Sequence, residues 1–375
     1  MKRISFMILT ATLILAFMTG CQQNGNSEQP PTEVYEKYQT TFFSEPGSEL
    51  FNTTITVVGY AKSEDEFKNY MEILHARMLG LHKLYDKYND YEGINNIKTI
   101  NDYAGVKPVE VSKDLIDLIL FCKKQYEEIG EKTNIAMGSV LKIWHDYREE
   151  GKDNPDAKIP PMDKLLEARE HTDINKVIVD VENSTVYLDD PLMSLDVGAV
   201  AKGYATELAV QEIMREGFTS GIISSGGNIR AFGQPMDGIR DKWGVGIQDP
   251  DVSSYADASE RNLDVIFLTD ASVVTSGDYD RFYKVGDMVL HHLIDPDTLM
   301  PGDYFRAVTI VTENSGMADF LSTIVFLLPF EEGKELVESL DNTEALWIFK
   351  DRTVEATEGM KAIMKSHGAT AAIKK

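Results

Sequence analysis

The chain has 375 residues, 43% hydrophobic and 26% charged, enough for one large domain or two smaller ones. Its 61 acidic residues against 37 basic ones give a formal net charge of -24. A surface of that sign repels nucleic acid and anionic lipid, so any membrane attachment must be hydrophobic or covalent.

Lys2 and Arg3 precede an apolar run, Ile4 to Phe17, that is short for a membrane span. Met18-Thr-Gly-Cys21 follows and resembles a bacterial lipobox, with Met18 where Leu is more usual. An ordinary cleaved signal peptide or a short anchor is the plainer alternative. Acylation of Cys21 by a diacylglycerol and a further N-acyl chain supplies the two or more chains that stable anchoring needs. The expectation is a lipid-anchored, outward-facing protein of a bacterial cell membrane. Residues 1–21 are then the signal peptide, 22–37 a polar, Pro-bearing tether and 38–375 one folded domain. Cys122 sits among apolar residues at helical spacing and reads as a buried core residue. With Cys21 acylated, no intrachain disulfide remains.

Along the domain, residues 51–60 are rich in β-branched side chains and predict a strand. Phe67, Tyr70, Met71, Leu74, Met78, Leu81 and Leu84 recur at helical spacing over 64–85, with Ser63 as N-cap. Further helices are expected over 114–129 and 139–149, then a polar loop over 151–161 and a hairpin from 177–181 and 185–188. The apolar stripe Val200, Ala201, Tyr204, Leu208, Ala209, Ile213 and Met214 predicts a helix over 198–217, ended by Gly217. Strands are expected at 221–224, 243–248, 263–268, 289–294, 305–312 and 345–349, and helices at 316–328 and 332–340. Strands in runs, with helices interspersed irregularly, define an α+β fold of mixed or antiparallel sheets layered with helices.

Four turns combine tight backbone with polar side chains: Asp196-Val-Gly-Ala-Val-Ala-Lys-Gly203, Ser224-Ser-Gly-Gly-Asn228, Thr275-Ser-Gly-Asp278 and His292-Leu-Ile-Asp-Pro296. Together they suit a site that cradles a phosphorylated ligand. Asp196 can cap the helix that follows, and Lys202 in its first turns can reach a phosphate. The segment is neither a Walker loop nor a dinucleotide fingerprint. Gly226 and Gly227 allow backbone to approach a ligand, or form a plain hairpin turn. Thr275 to Arg281 reads as a short loop with two hydroxyls, an acid and a base. His292 lies beside Asp295 and Pro296, where a neutral imidazole can act as general base, and His291 points the other way in an extended segment. Asp319 and Thr323 share a helix face and offer hard oxygen ligands suited to Mg2+; the simpler reading makes Asp319 a helix cap.

The ordered set resembles the ApbE family of FAD:protein FMN transferases over roughly residues 51–328. The family pattern Asp-x-Gly-Gly-Ile-Ala-Lys-Gly-Tyr-Ala is matched by Asp196 to Ala205, with Ala199 in place of the second Gly. Gly-Gly-Asn, Thr-Ser-Gly-Asp-Tyr, His-x-Ile-Asp-Pro and Ala-Asp-x-x-x-Thr follow in family order, and Leu84-Tyr-Asp-Lys-Tyr-Asn89 and Asn95-Asn-Ile97 match upstream. The resemblance implies an ApbE-like, T-fold-related architecture and an enzyme that binds FAD and uses Mg2+ at its pyrophosphate. It would move FMN onto a Thr or Ser hydroxyl of an exported flavoprotein and release AMP. By position, the metal ligands would be the main-chain oxygen of Ala199 with Asp319 and Thr323. Asp196 and Lys202 would contact FAD, and Tyr88, Ala136, Met137, Gly138, Ser276 and Gly277 would complete its pocket. His292 would be the base. An acidic protein lends little positive field, so metal dependence is expected to be strong.

The chain departs from the family twice. Thr133-Asn-Ile-Ala-Met-Gly-Ser139 replaces Phe-Asp-Ile-Thr-x-Gly-Pro, and Asp297-Thr298-Leu299 replaces Arg/Lys-Thr-Gly. Two other readings fit the same residues: Mg-dependent hydrolysis of FAD to FMN and AMP, and a flavin- or solute-binding lipoprotein without catalysis.

Overall fold

The computed structural model describes residues 34–42, 50–252 and 257–373. Cys21, the signal segment and most of the tether lie outside them. Order is present by Glu36, where the first strand starts.

Eight antiparallel strands form one sheet and cross it in chain order: Glu36–Phe42, Ile55–Ala61, Gly221–Ser225, Asn228–Phe232, Ser272–Gly277, Phe305–Thr312, Glu344–Phe349 and Val354–Ala356. The remaining elements are inserted between neighbouring strands. Between Ala61 and Gly221 come the helices Glu64–Tyr85, Lys113–Glu128, Gly138–Gly151 and Ala201–Arg215, and a small three-stranded sheet. A hairpin, Trp243–Gln248 with Asn262–Leu268, follows the fourth strand. A second hairpin, Phe282–Val285 with Met288–His291, follows the fifth. The helices Ser315–Leu327 and Phe330–Ser339 join the sixth strand to the seventh.

Side-chain alternation explains the layering. Val274, Val308, Ile310 and Trp347 face the Ser315–Leu327 helix, while Val273, Ala307, Val311, Leu346 and Ile348 face Trp243, Val245 and Ile266 of the first hairpin. A period of two sends neighbouring residues to opposite faces, so these strands are apolar on both sides and buried between two layers. The Glu64–Tyr85 helix buries Phe67, Met71, Leu74, Met78, Leu81 and Tyr85, the expected stripe apart from Tyr70 and Leu84, which are half-buried, and Tyr85. Ser63 caps it by accepting the Glu66 N–H at 3.1 Å.

Three expectations are corrected. The helix expected from residue 198 starts at Ala201, because residues 198–200 form a turn. The Thr275 to Gly277 segment is the end of a strand rather than a loop, since it pairs with Ala307 to Thr309. The strand expected over 289–294 ends at His291. Four short helices went unforeseen, Ile97–Asp102, Met162–Arg169, Ala258–Arg261 and Glu358–Ile363. Ile97–Asp102 is too short for a periodic signal and is held by a capping box between Asn96 and Thr99, and Met162–Arg169 has only Leu165 buried.

Candidate active site

A cleft of about 810 Å3 opens where the inserted segments meet one end of the sheet. The Ser225–Asn228 turn is the tight hairpin link of the third and fourth strands, with φ of +56 at Gly226 and +91 at Gly227. Such backbone suits glycine. Gly226 and Asn228 both line the cleft, so the hairpin reading and the binding reading hold together.

Close packing of two helices sets the cleft floor. A Cβ on Gly203 would stand 2.2 Å from the Ser315 carbonyl oxygen and 2.6 Å from Asp319 Cβ. Glycine here lets the Ala201–Arg215 helix lie against the Ser315–Leu327 helix and brings Lys202 beside Asp319. The Gly203 N–H, which an i to i−4 pattern would send to the Ala199 carbonyl, donates instead to Asp319 Oδ2 at 2.8 Å. Asp319 is not a helix cap: Asn314 caps that helix by accepting the Met317 N–H at 3.0 Å. Asp319 and Thr323 lie one turn apart, both buried, and both line the cleft with Ala199.

These donors fit a hard cation. Burial pushes the Asp319 carboxyl above its ordinary range, against the pull of Lys202 and the Gly203 N–H. A carboxylate in that setting is stabilised by a nearby positive charge. Among the described residues no three His, Cys, Asp or Glu side chains gather to hold a metal. The donor set that the family resemblance implies is one carboxylate, one hydroxyl and one main-chain carbonyl, which would leave room for waters and ligand phosphates as Mg2+ prefers.

Lys202 is held only loosely, with Nζ 3.4 Å from Asn228 Oδ1 and 3.5 Å from the Gly226 carbonyl. Burial depresses its ammonium, and Asp319 opposes that. An anion would complete its coordination. Asp196 is engaged on the other side: its Oδ1 accepts the Gly198 N–H at 2.9 Å, and its Oδ2 pairs with Lys87. Burial works against the Asp196 carboxylate, but Lys87 and the Gly198 N–H hold it below the usual range. Lys87 also lies 5.0 Å from the ring centre of Tyr88, which is 53% exposed at the cleft lip and packs on His145 at 5.7 Å.

His292 lines the cleft, while His291 turns inward, its Nε2–H donating to the Gly302 carbonyl at 2.8 Å and its ring edge-on to Phe326. His292 Nδ1 is buried without a hydrogen-bond partner. Burial, then Arg281, His291, Arg148 and Lys202, push its pKa down to about 3, so the imidazole is neutral at physiological pH. Ser276 lines the cleft and its hydroxyl meets the Ser322 hydroxyl at 2.9 Å, while Gly277 lines it as backbone. Asp278 faces away from it to Arg306, at 2.9 Å.

In the 133–139 loop only Met137 of the three expected pocket residues lines the cleft. Ala136 is fully buried, and Gly138 is packed behind the wall with its N–H on the Ser194 carbonyl at 2.9 Å. The sequence reading missed Lys87, Lys132, Asn228 and Arg281. Six basic residues line the cleft, Lys87, Lys132, Arg148, Lys152, Lys202 and Arg281, against five acidic ones, Asp86, Glu149, Asp196, Asp280 and Asp319. The lining is therefore close to neutral, with Lys87, Lys132 and Lys152 paired to carboxylates, and the acidic excess lies elsewhere on the chain. Lys87, Lys202 and Arg281 sat inside quoted segments, as did Asn228; nothing in the sequence marks Lys132, Arg148 or Lys152, which arrive from distant segments.

A cleft with a loosely held lysine, hard oxygen donors and a neutral imidazole on an α+β scaffold suits phosphoanhydride or phosphoryl chemistry. The profile of the ApbE family matches residues 51–347. A FAD:protein FMN transferase of Treponema pallidum is 33% identical over 276 residues, covering 70% of this chain and 73% of that protein. One from Klebsiella pneumoniae is 29% identical over 288 residues, covering 76% and 84%. In fold, the crystal structure of an ApbE protein of Thermotoga maritima superposes with a TM-score of 0.73 at 24% identity, over 88% of this chain and 99% of that one. A flavin transferase ApbE of Vibrio cholerae gives 0.70 at 19% identity, over 88% and 100%. The chain belongs to the ApbE family.

Proposed function

We infer that this chain is a FAD:protein FMN transferase, which moves the FMN half of FAD onto a protein and releases AMP. The observation that carries the reading is the convergence of Lys202, Asp319, Thr323 and His292 on one cleft in a member of this family. We further propose that the acceptor atom is a Thr or Ser hydroxyl of an exported flavoprotein and that the working ion is Mg2+. Ala199 O, Asp319 and Thr323 would hold that ion, which supplies charge neutralisation at the pyrophosphate.

The chain's own residues do the rest. Lys202 and Arg281 bring positive charge to the pyrophosphate. Tyr88 offers an exposed ring at the lip for a flat ligand ring. The acceptor oxygen attacks the FMN phosphorus, the bond from that phosphorus to the AMP oxygen breaks, and AMP leaves with the bonding pair. His292 takes the hydroxyl proton, since a neutral hydroxyl is a weak nucleophile without a positioned base. The cations that depress His292 are among those a bound pyrophosphate would offset, so ligand binding strengthens the base.

Asp319→Asn keeps the shape of the site and removes its buried carboxylate. AMP release should fall by about 100-fold or more. Turnover at the wild-type rate would refute the metal assignment. Cys21 is proposed as the acylated anchor to the outer side of a bacterial membrane. Among the described residues no helix is long and apolar enough to cross one. Cys21→Ser should move the protein from the membrane fraction to the soluble fraction on cell fractionation, and retention at the membrane would count against acylation.

A further inference from the structure

The turn that follows His292 is held from outside by a lysine of another segment. Lys132 Nζ donates to both carboxylate oxygens of Asp295, at 2.8 and 3.0 Å, and to Asp297 Oδ2 at 2.8 Å. Asp295 is buried, and its Oδ1 also accepts the Asp297 N–H at 2.8 Å. Its backbone closes the turn twice: Asp295 N donates to the Met300 carbonyl and Leu299 N to the Asp295 carbonyl, both at 2.8 Å. Leu299 has φ +60, a conformation that costs a non-glycine residue about 1–2 kcal/mol. It is kept there by burial of its side chain beside Trp144 and by the Trp144 Nε1–H on its carbonyl at 2.9 Å.

Lys132 also begins the opposite wall. Thr133, the next residue, donates its hydroxyl to the Phe320 carbonyl at 3.2 Å, next to Asp319, and Met137 lines the cleft. One ammonium therefore joins the wall of residues 133–137 to the turn three residues beyond His292. Removing it leaves the Asp295 carboxylate buried without its cation, and the turn must open to hydrate it.

We propose that Lys132 is a positioning residue that fixes the His292 imidazole in the cleft. Its assay rests on the transferase reading. Lys132→Met keeps most of the stem and removes the charge, while Lys132→Arg keeps the charge. In Lys132→Met, kcat for AMP release should fall about 10- to 100-fold while FAD affinity changes by less than about 3-fold. Lys132→Arg should restore most of the rate. A second readout needs no turnover: the rate at which diethyl pyrocarbonate modifies His292, followed on its peptide by mass spectrometry. It should rise in Lys132→Met and return in Lys132→Arg. Unmoved His292 reactivity overturns the proposal whatever the turnover does, and so does equal loss of kcat and FAD affinity. If Lys132→Met does not fold, Asp297→Asn, which loses only the exposed partner, must still raise the reactivity or the proposal fails. A wild-type protein that releases no AMP refutes the transferase reading and leaves the reactivity test standing.

Discussion

His292 shows how a single side chain is tuned by its surroundings. Its orphaned Nδ1 and depressed pKa of about 3 share one cause, a half-buried imidazole with a sealed Nδ1 set among cations. The sign of the stability effect follows. Between about pH 3 and its ordinary value of 6.5, the unfolded chain binds a proton that the folded chain refuses. Folding stability therefore falls as pH drops below 6.5, by up to ~1.4 kcal/mol per pH unit from this group. His292→Gln removes that contribution, so its Tm should fall less than the wild type's between pH 6.5 and 4. Parallel Tm curves for the two proteins would contradict the desolvated, neutral imidazole. The residue type and its neighbours Asp295 and Pro296 were legible in the sequence. Its burial among Arg281, Arg148 and Lys202 was not, because those bases come from separate segments.

At the scale of elements, the crossing of the Ala201–Arg215 and Ser315–Leu327 helices decides the site. Both helices were legible from their apolar stripes, but their contact was not, since Gly203 and Asp319 are 116 residues apart. The contact converts an ordinary Lys-Gly pair into a site feature: Gly203 gives the close approach, its N–H fixes Asp319, and Lys202 faces the same carboxylate. Gly203→Ala puts a methyl 2.2 Å from the Ser315 carbonyl oxygen, backbone that cannot swing aside. Its better helix propensity is worth about 1 kcal/mol at most, while forcing the helices apart costs roughly 1–3 kcal/mol. The clash wins, so denaturant unfolding should show a destabilised protein with weakened FAD binding. A variant as stable as the wild type would mean that the helices separate freely. The Ser272–Gly277 strand teaches the opposite lesson. Its hydroxyls and glycine read as a loop, yet pairing with Phe305–Thr312 overrides that local signal, with Thr275 and Thr309 hydroxyls 2.8 Å apart.

At the scale of the molecule, the described residues build an eight-stranded meander, and most of the cleft comes from the segments inserted between its strands. The α+β class followed from strands in runs, and the ordered motifs pointed to the family that the comparisons show. Where each insertion folds back was beyond the sequence, because the pairings are long-range: Lys132 meets Asp295 across 163 residues and Lys87 meets Asp196 across 109. Net charge does not describe the site at this scale. A total of -24 coexists with a cleft lined by six bases and five acids, so the field at the ligand differs from that of the average surface.

Transfer, binding and hydrolysis separate in a single reaction mixture. Protein starting at Gln22 would be incubated with FAD, Mg2+ and an exported flavoprotein subunit bearing a candidate Thr or Ser. AMP release and the intact mass of the acceptor would be followed together. Transfer gives AMP in step with an acceptor heavier by one FMN, lost when the acceptor hydroxyl is replaced. FAD that stays bound and intact, or AMP released with FMN free in solution across acceptors, would contradict it.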